Sequence, residues 1–181
     1  MTSSRIERVA TGMPPPPMTP EQQRELRFMM GRFATGVSVV AARQGPFLSG
    51  MTANAIASIS VDPPIMMASI AKHSETHTAI LGSHSFAISV LAADQQPLAE
   101  CFALRISADK LRRFCDAAWH EAETGSPILE DAIAYFDCRL MERYDVGDHS
   151  IFLGEIVAAG YREDAAPLLF FAGEYRHVTD R

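Results

Sequence analysis

The stretch Gly50-Met51-Thr52-Ala53-Asn54-Ala55-Ile56-Ala57-Ser58-Ile59-Ser60-Val61-Asp62-Pro63-Pro64 alternates along its length. Ala53, Ala55, Ala57, Ile59 and Val61 share one parity; Thr52, Asn54, Ser58 and Ser60 share the other, with Ile56 as the exception. That is the period of a strand, whose side chains point to opposite faces in turn. The polar face carries only small neutral groups, hydroxyls and an amide. Small side chains let a flat, uncharged polar ring lie close to backbone N–H and C=O groups. A metal or a free phosphate would find neither ligands nor cations there. The same alternation also describes an ordinary half-buried strand.

A second group of residues is Lys72-His73-Ser74-Glu75-Thr76-His77-Thr78, placed between an apolar run and a short helix. Hydroxyls and exposed N–H groups at a helix N-terminus attract phosphate, and the helix dipole adds to the attraction. Lys72 supplies a cation. Ser74 or Thr76 can equally serve as a plain N-cap. His73 and His77 stand four apart, but no Glu follows His73 in an H-E-x-x-H pattern and the cysteines are scattered, so no metal site is expected. The third group is Gly147-Asp148-His149-Ser150, a turn feeding a strand, where a lone histidine is usually structural. There is no G-x-G-x-x-G, no G-x-x-x-x-G-K-[ST] and no G-x-S-x-G. A standard dinucleotide fold, a P-loop and a hydrolase elbow are therefore not expected.

The elements that must hold these groups are mostly strands. Gly36 to Ala42 is one, followed by a turn at Gln44-Gly45-Pro46. Phe47 to Ser60 is the polar-lined strand, ended by Asp62-Pro63-Pro64. Ile65 to Ile70 is a short buried run that includes Ser69. Phe86 to Leu91, Ile133 to Arg143, Ser150 to Ala159, Leu168 to Phe171 and Gly173 to His177 complete the set. Helices are expected at Thr76–Leu81, Pro97–Ala103 and Asp109–Phe114. Another begins at Thr19-Pro20-Glu21-Gln22, which supplies an N-cap, a proline at the first helical position and a capping-box Gln. Leu26, Met29, Met30 and Phe33 follow at helical spacing and read as a core-facing stripe. Many strands, few helices and no regular strand–helix alternation predict a mainly β barrel rather than a doubly wound sheet. Residues 1–18 end in a proline run and read as an arm outside a domain spanning 19–181.

Length and composition agree with one globular domain. The chain has 181 residues, 48% hydrophobic and 21% charged, with a formal net charge of −6. That charge disfavours nucleic acid as a partner. The basic residues that cluster, Arg105, Lys110, Arg112 and Arg113, read as a solvated helix face. No apolar stretch is long enough to span a membrane, and the N-terminus lacks a signal-peptide core. Three cysteines, Cys101, Cys115 and Cys138, fit buried thiols in a reducing cytoplasm better than a disulfide framework.

The segment GMTANAIASISVDPP resembles the signature of the flavin reductase family, whose members have an FMN-binding split barrel. Further matches follow in family order: FMMGRFATGVSVV upstream, then KHSETH, FAISVLAADQQPLAECFA, GDHSIFLGEIVAA and PLLFFAGEYR. The resemblance implies a split β-barrel with a few flanking helices and an NAD(P)H:flavin oxidoreductase. Such an enzyme reduces FMN or FAD with NADH or NADPH and passes the reduced flavin to a separate flavin-dependent monooxygenase. It also implies a homodimer. By the resemblance, Thr52, Ala53, Asn54, Ala55, Ser58 and Ser69 belong to the flavin-binding face. Lys72, Ser74, Thr76 and His77 belong to the segment that grips the ribityl phosphate, and His149 stands beside the flavin as a catalytic helper. The chain departs from the family pattern at Ala55, Ile56 and Ala57, where Ser, Phe and Thr are usual, so one hydroxyl contact to the flavin is missing. A flavoprotein that keeps its flavin and reduces another substrate, and a non-catalytic flavin binder, are the rival readings.

Overall fold

The computed structural model describes residues 17–103 and 113–178. The first helix, α1 (Pro20–Met30), starts as expected. The Thr19 hydroxyl accepts from the Gln22 amide, and the Gln22 side chain accepts from the Thr19 N–H. Its apolar stripe does not join the core, contrary to the sequence reading. The helix buries no residue, and Met30 and Phe33 are 66% and 79% exposed. The reason is placement, because α1 borders an open cleft instead of lying on the sheet.

The strands are β1 (Thr35–Gly36), β2 (Ser38–Gln44), β3 (Phe47–Ala53), β4 (Ile56–Val61), β5 (Pro64–Ala71), β6 (Ser85–Val90), β7 (Trp119–His120), β8 (Ile128–Leu129), β9 (Ala134–Val146), β10 (His149–Tyr161), β11 (Leu168–Phe171) and β12 (Glu174–His177). Two further helices, α2 (Glu75–Ser83) and α3 (Gln96–Phe102), follow β5 and β6. Seven strands form one sheet in the order β3-β2-β6-β9-β10-β5-β4, and β1, β11 and β12 form a smaller one. Every pairing is antiparallel. The expected mainly β architecture is what the chain adopts.

Strand β2 explains how one sheet serves two cores. Its residues Ser38 to Ala42 are all buried, so neither face meets water. Val40 and Ala42 join a core of Ile70, Ile80, Phe86, Ile88 and Phe152. Val39 and Ala41 point the other way, into a cluster of Leu91, Phe102, Phe114 and Leu168. A strand buried on both faces reads as a continuous apolar run, which Val37 to Ala42 nearly is.

Three other expectations need correction. The polar-lined strand is not continuous: it breaks at Asn54-Ala55 into β3 and β4. Because β4 is a sheet edge, Ile59 and Val61 face water at 52% and 88% exposure instead of lining the core. Cys101 and Cys115 form a disulfide, whereas three free thiols were expected. Both sit in the second core, which brings together residues 14 apart in sequence. Cys138 is free and buried in the first core, and burial pushes its thiol up to about 12. Finally, β7 and β8 pair with each other although neither was expected. Two residues each are too few to display a period. Residues 109–112 of the helix expected at Asp109–Phe114, the basic cluster other than Arg113, and the arm up to residue 16 lie outside the described residues, and Phe114 itself opens a single 3-10 turn, Phe114–Asp116.

Candidate active site

Strand register decides which candidate residues meet. In β5 and β10, Ala71 pairs with His149, Ser69 with Ile151 and Met67 with Leu153. Directly opposed residues of an antiparallel pair share a face. So Met67, Ser69, Ala71, His149, Ile151 and Leu153 lie on one side of the sheet. Except for Ala71, all of these are half-buried, whereas Ser150, Phe152 and Gly154 on the other side are buried. Ala57 pairs with Met67 and extends the half-open face onto β4.

This face leads into a cavity of about 860 Å³. Asn54, Ala55, Ala57 and Met67 line one wall; α1 and the segment Phe33 to Gly36 line the other. Two features leave room and an open hydrogen-bonding group for a ligand there. Thr35 Oγ1 is buried and has no hydrogen-bond partner among the described residues, a state that costs about 1–3 kcal/mol unless something bonds to it. A Cβ built on Gly36 meets no atom within 4 Å, so the space beside it is open. Among the described residues, Arg27 is the only charged one lining the cavity.

The other end of the face carries charge. A strand rise of about 3.3 Å per residue puts Ala71, the last residue of β5, roughly 7 Å beyond Ser69, and Lys72 follows it in the turn. Lys72 Nζ donates to the Gly147 carbonyl at 3.0 Å, and its backbone N–H donates to the Asp148 carbonyl at 3.0 Å. Thus the segment after β5 is tied to the β9–β10 turn that holds His149. His149 Nδ1 lies 2.8 Å from Asp148 Oδ1, and its side chain is 44% exposed. That hydrogen bond holds the Asp148 carboxyl below its ordinary range. Ser74 caps α2: its hydroxyl accepts from the His77 N–H at 3.1 Å and donates to the Ala71 carbonyl at 2.8 Å.

Not every candidate reaches this face. The Thr52 hydroxyl donates to the Ala99 carbonyl on α3 at 2.6 Å, and Ala53 belongs to the first core. Thr76 is 1% exposed and its hydroxyl is bonded to Ser49 at 2.9 Å. His77 is buried against Phe152 and bonded to Ser150. Ser58 pairs with Met66, on the opposite face from Met67. Asn54, Ala55, Ser69, Lys72, Ser74 and His149 are the candidates brought to one surface or its rim.

Sequence reasoning missed Thr35, Gly36, Arg27 and Phe170, all of which line the cavity. The segment FMMGRFATGVSVV was matched to the family, but its parity shows no polar stripe that would mark a site. Phe170 reaches the cavity only because β11 pairs with β1, aligning Phe170 with Thr35. No spacing within either segment announces that contact.

Comparisons with known proteins identify the family of the chain. Residues 30–179 match the model of the flavin reductase like domain. The chain is 40% identical over 157 residues to an FMN reductase (NADH), SmoA, of Agrobacterium fabrum, covering 86% of each chain. It is 34% identical to the reductase component of a 4-nitrophenol 4-monooxygenase/4-nitrocatechol 2-monooxygenase of Rhodococcus opacus, over 90% of this chain and 84% of that one. Among solved structures, the NADH:FAD oxidoreductase SgcE6 of Streptomyces globisporus superposes with a TM-score of 0.82 at 33% identity, covering 92% of this chain and 100% of the other. With a family model spanning most of its length and a relative of this similarity, the chain belongs to the flavin reductase like domain family.

Proposed function

We propose that this chain is an NAD(P)H-dependent flavin reductase whose flavin lies along the half-open β5–β10 face. The observation that carries the placement is the continuity of that face. It runs from a cavity with an unpartnered Thr35 hydroxyl, past Ser69 and Ile151, to Lys72 and the α2 N-terminus. Flavin, when bound, accepts a hydride directly from the reduced nicotinamide, so the protein's task is positioning and electrostatics. Asn54, Ala55 and Thr35 present polar groups and close backbone to the ring. Lys72 and the free N–H groups at the start of α2 attract the phosphate. His149, steadied by Asp148, stands at the edge of the same face and orients the nicotinamide. Arg27 supplies a cation for the nucleotide's pyrophosphate.

The relatives include an FMN reductase and an FAD oxidoreductase, both NADH-dependent, so NADH is the expected donor and either flavin the acceptor. A likeness to a monooxygenase reductase component supports release of reduced flavin to a separate flavin-dependent monooxygenase. A homodimer is supported by exposed apolar side chains: Phe33, which lines the cavity, is 79% exposed, and Phe28, Tyr144 and Val146 are 57%, 52% and 55% exposed. Monomers rarely leave such patches open. A two-fold contact covering them should bury on the order of 2,000 Å². Need for cellular NADH supports a cytoplasmic location, and no helix among the described residues is long and apolar enough to cross a membrane.

The test is turnover of NADH and NADPH by the purified protein with FMN and with FAD, followed by gel filtration with flavin. Nicotinamide oxidation that depends on added flavin, with flavin lost on the column, is the expected result. Absence of flavin-dependent oxidation overturns the reading. Light scattering that returns a fully active monomer overturns the dimer.

A further inference from the structure

One residue beside His149 takes no part in the face described above. Ser150 sits on the buried side of β10 and is fully inaccessible. Its hydroxyl donates to Asp145 Oδ1 at 2.7 Å and stands 2.9 Å from His77 Nε2. A hydroxyl has a single proton. With that proton committed to the carboxylate, the Ser150 oxygen accepts from His77, which must carry its own proton on Nε2. Burial, and then the nearby Arg143, push the His77 pKa down, which agrees with a neutral ring. The ring also packs edge-on against Phe152 at 5.2 Å, so it has little freedom to turn.

The contacts close into a loop. His77 is fixed to β10 through its ring, and its backbone N–H donates to the Ser74 hydroxyl. Ser74 in turn donates to the Ala71 carbonyl, one residue before Lys72. Lys72 Nζ lies 3.9 Å from the second oxygen of Asp145, where the chain began. Arg143 Nε holds the first oxygen at 3.3 Å. Every position in this circuit is therefore set relative to the others, and the circuit joins two elements that sequence leaves far apart. One is the β9–β10 turn bearing His149, and the other is the β5–α2 junction bearing Lys72 and Ser74.

We propose that His77, Ser150 and Asp145 are positioning residues for flavin phosphate recognition: they hold the Lys72–Ser74 segment at the fixed offset from the flavin face that a phosphorylated flavin requires. The proposal rests on the reductase reading above. None of the three touches the ligand. Their effect is read through a group that FMN has and riboflavin lacks.

Ser150→Ala removes the middle of the chain without adding volume. Affinities of the full-length protein for FMN and for riboflavin are measured by flavin fluorescence. FMN should bind roughly tenfold more weakly, as expected from one misplaced hydrogen bond to a charged group. Riboflavin affinity should be unchanged, and so should the NADH KM measured with saturating riboflavin. Equal losses for both flavins would make Ser150 a merely structural residue, and unchanged FMN binding would remove it from the site altogether. Asp145 is half exposed, so a second pair of variants at that position avoids any folding defect. Asp145→Asn still offers an oxygen to Ser150 and should keep the wild-type preference for FMN over riboflavin or raise it. Asp145→Ala should lose that preference. If both variants strengthen FMN binding alike, Asp145 acts only by repelling phosphate and the positioning role is overturned. Wild-type protein that binds none of FMN, FAD and riboflavin would take down the reductase reading and this proposal together. Wild-type preference for FMN that survives in Ser150→Ala sinks the positioning proposal alone.

Discussion

Strand β10 has two faces of opposite character. Ser150, Phe152 and Gly154 point inward, are buried, and have their polar groups paired. His149, Ile151 and Leu153 point outward and stay half-buried beside Met67 and Ser69. Two glycines make the contrast concrete. A Cβ on Gly154 would meet Phe86 at 2.6 Å and Cys138 at 2.7 Å, whereas a Cβ on Gly36 would meet nothing within 4 Å. The first glycine leaves room for the protein's own side chains. The second leaves room beside an unbonded threonine hydroxyl. A face that is half-open contributes less to folding than the buried one, and under the proposed function a removable ligand completes it.

The largest test of that contrast compares neighbours on β10. Phe152→Ala should destabilise the fold by about 3–5 kcal/mol, since the ring is fully buried in the first core. Leu153→Ala should cost under about 1 kcal/mol. Urea unfolding of both variants decides it, and equal losses would mean that the two faces are not distinct. Next in size is Gly36→Leu. The added side chain enters the cavity, so flavin affinity should fall by about 100-fold, or roughly 2.7 kcal/mol. The unfolding midpoint should stay near wild type because the first added carbon meets no described atom within 4 Å. Retained flavin binding in that variant would put the ring elsewhere.

The contrast also shows what a single sequence reveals. The strands were readable because their periods are local, as were the N-terminal cap of α1 and the turn at Gly45. Lys72, Ser74 and His149 stood out because charge, hydroxyl and imidazole are rare neighbours in apolar strands. Thr76 and His77 carried the same chemical signal, yet the fold turns both inward to Ser49 and Ser150. Side-chain type alone does not say which side of a short helix is buried. Thr35 and Phe170 were unreadable for a different reason: they meet only through β1–β11 pairing across most of the chain. The exposed stripe of α1 looked like core because apolar spacing along a helix does not say whether that face is packed or open.

A smaller effect is expected where the outer face meets charge. Lys72→Met should weaken FMN binding by about tenfold, near 1.4 kcal/mol, and leave riboflavin binding unchanged. The figure is modest because the ammonium is exposed to solvent and already shared with Gly147 and Asp145. Isothermal titration with both flavins measures the difference. An equal loss for riboflavin would mean that Lys72 supports the strand end and not the phosphate.

The smallest effect belongs to His149. Its Nδ1 is engaged by Asp148, which leaves Nε2 as the atom available to a nicotinamide carboxamide. One neutral hydrogen bond is worth about 0.5–1.5 kcal/mol, so His149→Ala should slow flavin reduction or raise the NADH KM by roughly twofold to tenfold. Flavin affinity should hold, because the proposed ring site uses other residues of the face. Stopped-flow reduction over a range of NADH concentrations separates the two parameters. The same substitution has a second consequence on the acid side. In the wild type, the Asp148 carboxyl is held low by His149, so its contribution to stability is present at neutral pH and lost as pH falls through that lowered pKa. Without the imidazole, Asp148 returns toward its ordinary value and the variant loses less stability on acidification. Wild-type reduction kinetics combined with this flatter acid profile would make His149 a turn-stabilising residue, and the outer face would then orient the nicotinamide without it.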